Sequence, residues 1–214
     1  MNSQIPYRYI SIEGSIGAGK TALTKKLQES FQANIILERF AENAFLPLFY
    51  QEPEKYALQV ELTFLEDRYR QLKEITQQPA FLQELFFADY FIDKCLIFAK
   101  NNLKQVDYEL YRKIFDIMAS LLPQPDLIIY LKKESDALLQ NIAKRGRSYE
   151  QNIKRDYLDE IGENYMQYLV NIQNIPILVV ESSTLDFVNN PDDLTRFQEL
   201  IQKEYKNGIQ LVER

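Results

Sequence analysis

The sequence predicts an α/β domain built on a five-stranded parallel sheet with helices on both faces. Three observations predict it. Short apolar runs rich in β-branched and aromatic residues alternate with long helical patterns along the 214 residues, and such alternation produces parallel sheets. A glycine-rich octapeptide joins the first apolar run to the first helical pattern. No linker, low-complexity run or internal repeat interrupts the chain, so residues 1–214 read as one domain.

The strands are expected at Tyr7–Ile12, Asn34–Glu38, Leu85–Ala88, Asp126–Leu131 and Ile177–Val180. Helical periodicity separates them at Lys20–Phe31, Glu54–Thr76, Phe91–Leu103, Tyr108–Leu121, Glu134–Lys144 and Ile153–Ile172. A last helix, Asp192–Tyr205, follows Pro191, whose missing N–H costs nothing at a helix start. The segment Tyr108–Leu121 is apolar almost all the way round, which calls for burial within the chain or a subunit interface. A domain of this size has few fully interior helices, so a helix-on-helix homodimer is expected. Ligands on such sheets sit at the carboxyl ends of the strands, and the informative residues lie just after each one.

After the first strand come Gly14, Ser15, Ile16, Gly17, Ala18, Gly19, Lys20 and Thr21, a full match to the phosphate-cradling pattern G-x-x-x-x-G-K-[ST]. The strand and helix on either side supply the setting it needs. Backbone N–H groups and the helix N-terminus point at a polyphosphate, Lys20 reaches its outer phosphates, and the Thr21 hydroxyl ligates Mg²⁺. The chain is expected to bind a nucleoside triphosphate, ATP, with Mg²⁺.

Composition narrows the partners. Lys and Arg number 25 against 31 Asp and Glu, a net charge of −6, which disfavours nucleic acid. One cysteine, Cys95, excludes an internal disulfide and suits a reducing compartment. The absence of histidine leaves proton transfer to a carboxylate. No apolar stretch approaches membrane-spanning length and the N-terminus lacks a signal-like pattern, so no membrane partner and a cytoplasmic location are expected.

Two further positions have open readings. Glu38 closes the second strand; it is either a base for an attacking hydroxyl or a solvated strand-end carboxylate. Arg145-Gly146-Arg147 closes a helix. These arginines either swing over a triphosphate or form an ordinary glycine cap with cations at a helix C-terminus.

The phosphate loop, Glu38, the segment F-Y-Q-E-P-E-K-Y with E-L-x-F-L-x-x-R, the R-G-R stretch and the late D-F-V-N-N-P together resemble the deoxynucleoside kinase family, whose members have the P-loop kinase fold with an Arg-bearing lid. The resemblance runs from about Tyr7 to Pro191. It implies that ATP phosphorylates the 5′-hydroxyl of a small-molecule deoxynucleoside, purine favoured, with Glu38 as base. It further implies that Tyr50 and Glu150 hold the sugar 3′-hydroxyl, that Glu61 stands in the place of a base-reading Gln with Arg68 beside it, and that Phe98 stacks on the nucleobase. Arg145 and Arg147 correspond to the lid arginines, and Asp186 and Phe187 to the loop flanking the adenine of ATP.

The chain departs from the family pattern at three places. After the third strand the family carries an acidic residue followed by Arg; here Phe87-Ala88-Asp89-Tyr90 offers Asp89 as metal partner only after a one-residue slip, and no Arg. Asn141 replaces a further lid Arg. Glu61 in place of Gln offers acceptors only when ionised, which suits the adjacent N1–H and 2-amino donors of guanine; alternatively it pairs with Arg68, seven residues on and on the same helix face. Two other functions fit parts of this pattern: a nucleoside monophosphate kinase, and a nucleotide-binding module without catalysis.

Overall fold

The computed structural model describes residues 5–212. Its sheet has six parallel strands in the order β2-β3-β1-β4-β5-β6: β1 Tyr9–Glu13, β2 Asn34–Ile36, β3 Phe86–Ala88, β4 Leu127–Lys132, β5 Pro176–Glu181 and β6 Gly208–Val212. The expected count of five is therefore corrected to six. β6 pairs with β5 from Pro176↔Gly208 to Val180↔Val212, at an edge where its side chains are half-exposed and carry no continuous apolar run.

Eight helices complete the described chain: α1 Lys20–Phe31, α2 Leu46–Gln51, α3 Pro53–Thr76, α4 Lys94–Asn102, α5 Gln105–Ala119, α6 Ser135–Arg145, α7 Arg155–Leu169 and α8 Pro191–Leu200. α2 was not expected, since six residues with a proline in the first turn give too short a period to read. α8 begins as expected at Pro191, with the Asn190 side chain accepting from the Asp192 N–H.

Every residue of β1 is buried, because helices cover both faces of the central strand. Leu23 and Leu27 of α1 and Phe197 of α8 pack with Ile10, Ile12 and Ile129 on one side. On the other, Ile161, Tyr165 and Leu169 of α7 pack with Phe91, Ile128, Tyr130 and Val179. A further cluster joins Leu65 and Leu72 of α3 to Cys95 of α4 and to Tyr111 and Phe115 of α5. Only those last two residues of α5 are buried, while Val106, Leu110, Ile117 and the following Leu121 are 78%, 53%, 74% and 77% exposed. The alternative of burial within the chain is set aside; one apolar face is left on the surface. Among the described residues, no helix is long and apolar enough to cross a membrane.

Register positions the site. Ser11 of β1 lies opposite Ala88 of β3, and Ala88 opposite Ile36 of β2. β2 and β3 therefore end together, two residues short of the end of β1, and the residues leaving the strands, Leu37, Asp89 and Gly14, start from one edge of the sheet.

Candidate active site

The loop between β1 and α1 takes the conformation its glycines permit. Gly17 has φ 84°, and a Cβ there would sit 2.7 Å from the Leu138 carbonyl oxygen. Gly19, at φ 96°, forms the N-cap of α1 and would place a Cβ 2.8 Å from the Phe187 ring. Both positions demand a residue without a side chain. The Lys20 ammonium donates to the carbonyls of Gly14 and Ser15 at 2.9 Å, so the cation lies inside the curl of its own loop. Burial, then the neighbouring Lys94, push the Lys20 pKa down to about 8 against the pull of Glu13, Glu38 and Asp89.

Across the strand ends, Asp89 leaves β3 and its carboxylate makes two contacts. It accepts from the Thr21 hydroxyl and, at 2.7 Å, from the backbone N–H of Glu38. Ala88 stays in the strand with no exposure, and Asp89 is the carboxylate that meets the phosphate loop. Burial first, and the Glu38 charge second, raise the Asp89 pKa.

Glu38 lies two residues beyond β2 and is not the solvated strand-end residue that position alone allows. The Arg68 guanidinium grips its Oε1, through Nε at 2.9 Å and through Nη2, and the Lys94 ammonium donates to Oε2 at 2.8 Å. Burial alone would raise its pKa; Arg68 and Lys94 outweigh burial and hold the carboxyl well below the usual range. It is ionised at any working pH. The alternative reading, in which Glu61 pairs with Arg68, is thereby set aside, because Arg68 donates to Glu38 and Cys95 Sγ instead.

Glu61 is 2% exposed and held differently. Asn102, the last residue of α4, donates to its Oε1 at 2.6 Å, and Tyr157 of α7 donates in turn to Asn102 Oδ1 at 3.1 Å. Glu61 Oε2 is buried and, among the described residues, has no hydrogen-bond partner. Burial pushes the carboxyl up to about 7, opposed by Asn102 and Arg68.

Gly146 caps α6 with φ 73° and both flanking arginines turn onto one carboxylate, Glu150, which is 3% exposed. Arg145 reaches its Oε2, and Arg147 its Oε1 at 3.1 Å. Arg147 also lies 3.4 Å from the centroid of the Phe40 ring. Tyr50 of α2 stacks on Tyr149 with centroids 6.0 Å apart and planes 18° off parallel. Phe98 of α4 meets Tyr165 edge-on and lies beneath the Lys94 ammonium at 5.6 Å.

One cavity brings these groups together: Lys20, Thr21, Glu38, Tyr50, Glu61, Arg68, Asp89, Phe98, Arg145, Arg147 and Glu150 all line it. Asp186 and Phe187 do not. They line an open groove on the far side of the phosphate loop, which meets the cavity at Gly17 and Arg145. Phe187 is buried there against Gly19 and edge-on to Phe197, while Asp186 folds its loop by accepting from the backbone N–H groups of Val188 and Asn189. Asn141 donates to the Gly17 carbonyl at 2.8 Å, so it ties α6 to the phosphate loop where a cation would have projected.

Sequence reasoning missed Lys94, Asn102, Tyr157 and Glu13. Glu13 is a fully buried carboxylate that accepts from the Phe91 N–H at 2.6 Å and from Tyr165 at 2.9 Å, joining the end of β1 to the connection between β3 and α4 and to α7. A charge in an otherwise apolar strand was its available signal. Lys94 had a similar one, standing between Phe91-Ile92 and Cys95-Leu96-Ile97-Phe98.

Most of the chain is similar to known proteins. A deoxyguanosine kinase of Bacillus subtilis (strain 168) is 35% identical over 192 residues, covering 88% of this chain and 93% of that protein. A deoxyadenosine kinase of Dictyostelium discoideum is 29% identical over 201 residues, covering 93% and 80%. In three dimensions the chain is similar to the deoxyadenosine kinase from M. mycoides with bound dATP, with a TM-score of 0.79, 25% identity, and coverage of 91% and 100%. The deoxynucleoside kinase family model matches residues 10–206. Residues 10–206 take in every strand end that borders the cavity, and over them the chain belongs to the deoxynucleoside kinase family and is a kinase.

Proposed function

We propose that this kinase transfers the γ-phosphoryl group of ATP to the 5′-hydroxyl of a purine deoxynucleoside, with deoxyguanosine preferred over deoxyadenosine. The observation that carries the reading is the single cavity in which the phosphate loop, the ionised Glu38 and the half-open carboxylate of Glu61 face one another. Phosphoryl transfer asks little covalent chemistry of a protein and much positioning.

On the donor side, Lys20 trades its own loop carbonyls for phosphate oxygens, and Arg145 and Arg147 spread the charge of the transferring group. Asp186 and Phe187 border the groove that takes the adenine. Thr21 and Asp89 would hold Mg²⁺, being hard oxygen donors already in contact. Among the described residues no group of three metal-ligating side chains occurs, and such an ion commonly takes one or two protein oxygens with the rest from phosphates and water. It would neutralise charge on the phosphates.

On the acceptor side, Glu38 takes the hydroxyl proton. Its low basicity is no obstacle, because a loose transition state needs the proton removed late. Tyr50 and Glu150 sit beside the lid arginines to receive the 3′-hydroxyl, and Phe98 with Arg68 and Glu61 frames the base. Glu61 supports the guanine preference: Oε2 lacks a partner, Oε1 keeps one lone pair beyond Asn102, and guanine offers two adjacent donors. The exposed apolar face of α5 supports a homodimer through that helix, and the chain is read as cytoplasmic.

A coupled assay of ADP formation against deoxynucleosides, ribonucleosides and nucleoside monophosphates tests the reading. Turnover dependent on deoxyguanosine, exceeding that with deoxyadenosine, is expected. Turnover dependent only on monophosphates, or an equal or reversed purine ratio, overturns it.

A further inference from the structure

We propose that Lys94 is a catalytic cation: its ammonium bridges Glu38 and an oxygen of the phosphoryl group in flight. The inference rests on the function proposed above. It starts from a buried charge that is under-used. Lys94, the first residue of α4, is 4% exposed, and its ammonium has three N–H donors. Among the described residues one of them is taken, by Glu38 Oε2 at 2.8 Å. A buried ammonium with donors to spare carries a desolvation cost that one ion pair seldom offsets. The rest of its turn is apolar, with Cys95, Leu96 and Ile97 all buried, so packing would be served by a side chain without charge.

Orienting Glu38 does not explain it either. Arg68 already grips Glu38 Oε1 through two N–H groups, so the carboxylate has a cationic partner without Lys94. Oε2 is then the oxygen free to accept a substrate hydroxyl. A hydroxyl bonded to Oε2 at ~2.7 Å lies within about 5.5 Å of Lys94 Nζ, and the oxygens of a phosphorus attached to it fall within hydrogen-bond reach. Lys20 and Asp89 border the same cavity. The strand end itself supplies Asp89 and Tyr90 but no arginine; α4 delivers the cation instead.

The step balances. The hydroxyl oxygen forms its bond to the γ-phosphorus as the bond from that phosphorus to the bridging oxygen breaks, and the electron pair stays on ADP. The hydroxyl proton passes to Glu38 Oε2. Lys94 keeps its proton throughout and stabilises the charge on the equatorial oxygens.

Full-length wild type, Lys94→Met, Glu38→Gln and the double variant Glu38→Gln/Lys94→Met are compared with ATP, Mg²⁺ and deoxyguanosine. Loss of one well-placed cationic donor should lower kcat ~10²-fold, with nucleoside KM changed far less. The double variant removes both partners of the Glu38–Lys94 ion pair together, with Arg68 keeping its bond to Cys95 Sγ, and thermal melting of all four proteins checks that each is folded. A mere counter-ion of Glu38 has nothing to do once Glu38 is neutral. The proposal therefore expects the double variant to turn over at least ~10-fold more slowly than Glu38→Gln alone, and Lys94→Arg to recover part of the loss. Equal rates for Glu38→Gln and the double variant, or a Lys94→Met enzyme with wild-type kcat, overturn it. Wild type inactive on every deoxynucleoside would instead overturn the proposed function.

Discussion

Replacing Glu61 by Gln should erase the discrimination between purines, and the size of the effect follows from how the carboxylate is held. Asn102 occupies one lone pair of Oε1, which leaves Oε2 and the rest of Oε1 for the base. An ionised Glu61 meets N1–H and the 2-amino group of guanine with two charge-assisted bonds, each worth ~1.5–3 kcal/mol. Gln keeps one neutral acceptor and turns its other end into a donor. About 3 kcal/mol is lost for deoxyguanosine, or ~10²-fold in kcat/KM. The same new donor pairs with N1 of adenine, so deoxyadenosine loses little or gains. The assay is kcat/KM for both nucleosides across pH 6 to 8.5. Burial sets the wild-type Glu61 pKa at about 7, with Arg68 and Lys94 favouring ionisation, Glu38 opposing it, and Cys95, Tyr111 and Tyr157 packed alongside. Below that pH the carboxyl is protonated and offers adenine a donor; above it the carboxylate accepts only. The wild-type preference for deoxyguanosine therefore rises with pH through about 7, while that of Glu61→Gln stays flat. A wild-type ratio independent of pH, or a variant that keeps it, refutes the assignment of Glu61 to the base.

Lys20→Ala should nearly abolish turnover, and Glu38→Gln should depress kcat far more than nucleoside binding; steady-state kinetics with a binding titration separate the two, and an unchanged kcat removes Glu38 from the base role. Gly17→Ala forces a side chain to φ 84° against the Leu138 carbonyl. It should cost at least ~2 kcal/mol, lowering Tm by roughly 4–8 °C for a chain of this size, and a Tm within a degree of wild type by calorimetry would contradict the strain argument. Ile117→Glu places a charge on the exposed face of α5 and should shift the sedimenting species from dimer to monomer, whereas an unchanged mass takes this helix out of any interface.

What could be seen in the sequence was what local chemistry dictates. The phosphate loop was legible because its glycines answer to backbone conformation within eight residues, and strands β4 and β5 because burial on both faces makes them near-continuous apolar runs. β6 escaped because an edge strand has no such run. Helix spacing rightly put Glu61 and Arg68 on one buried face of α3, yet the pairing it suggested failed, since Glu38 arrives from 30 residues away and takes Arg68 first. Lys94 and Asn102 were hidden for the same reason. In a sequence they read as ordinary polar residues at the two ends of a helix; only the packing of α4 against α3 and α7 aims them at Glu38 and Glu61. The alternative of a binding module without catalysis drew on the missing arginine after β3, and the match to a family of kinases over residues 10–206 removes it.

The most direct measurement follows the phosphorus itself. Deoxyguanosine is incubated with the purified protein, Mg²⁺ and ATP carrying ¹⁸O in its terminal phosphoryl group, and the products are weighed by mass spectrometry. A labelled deoxyguanosine 5′-monophosphate, lost when Lys20 is replaced by Ala, is the predicted result; label found solely in inorganic phosphate would contradict the account.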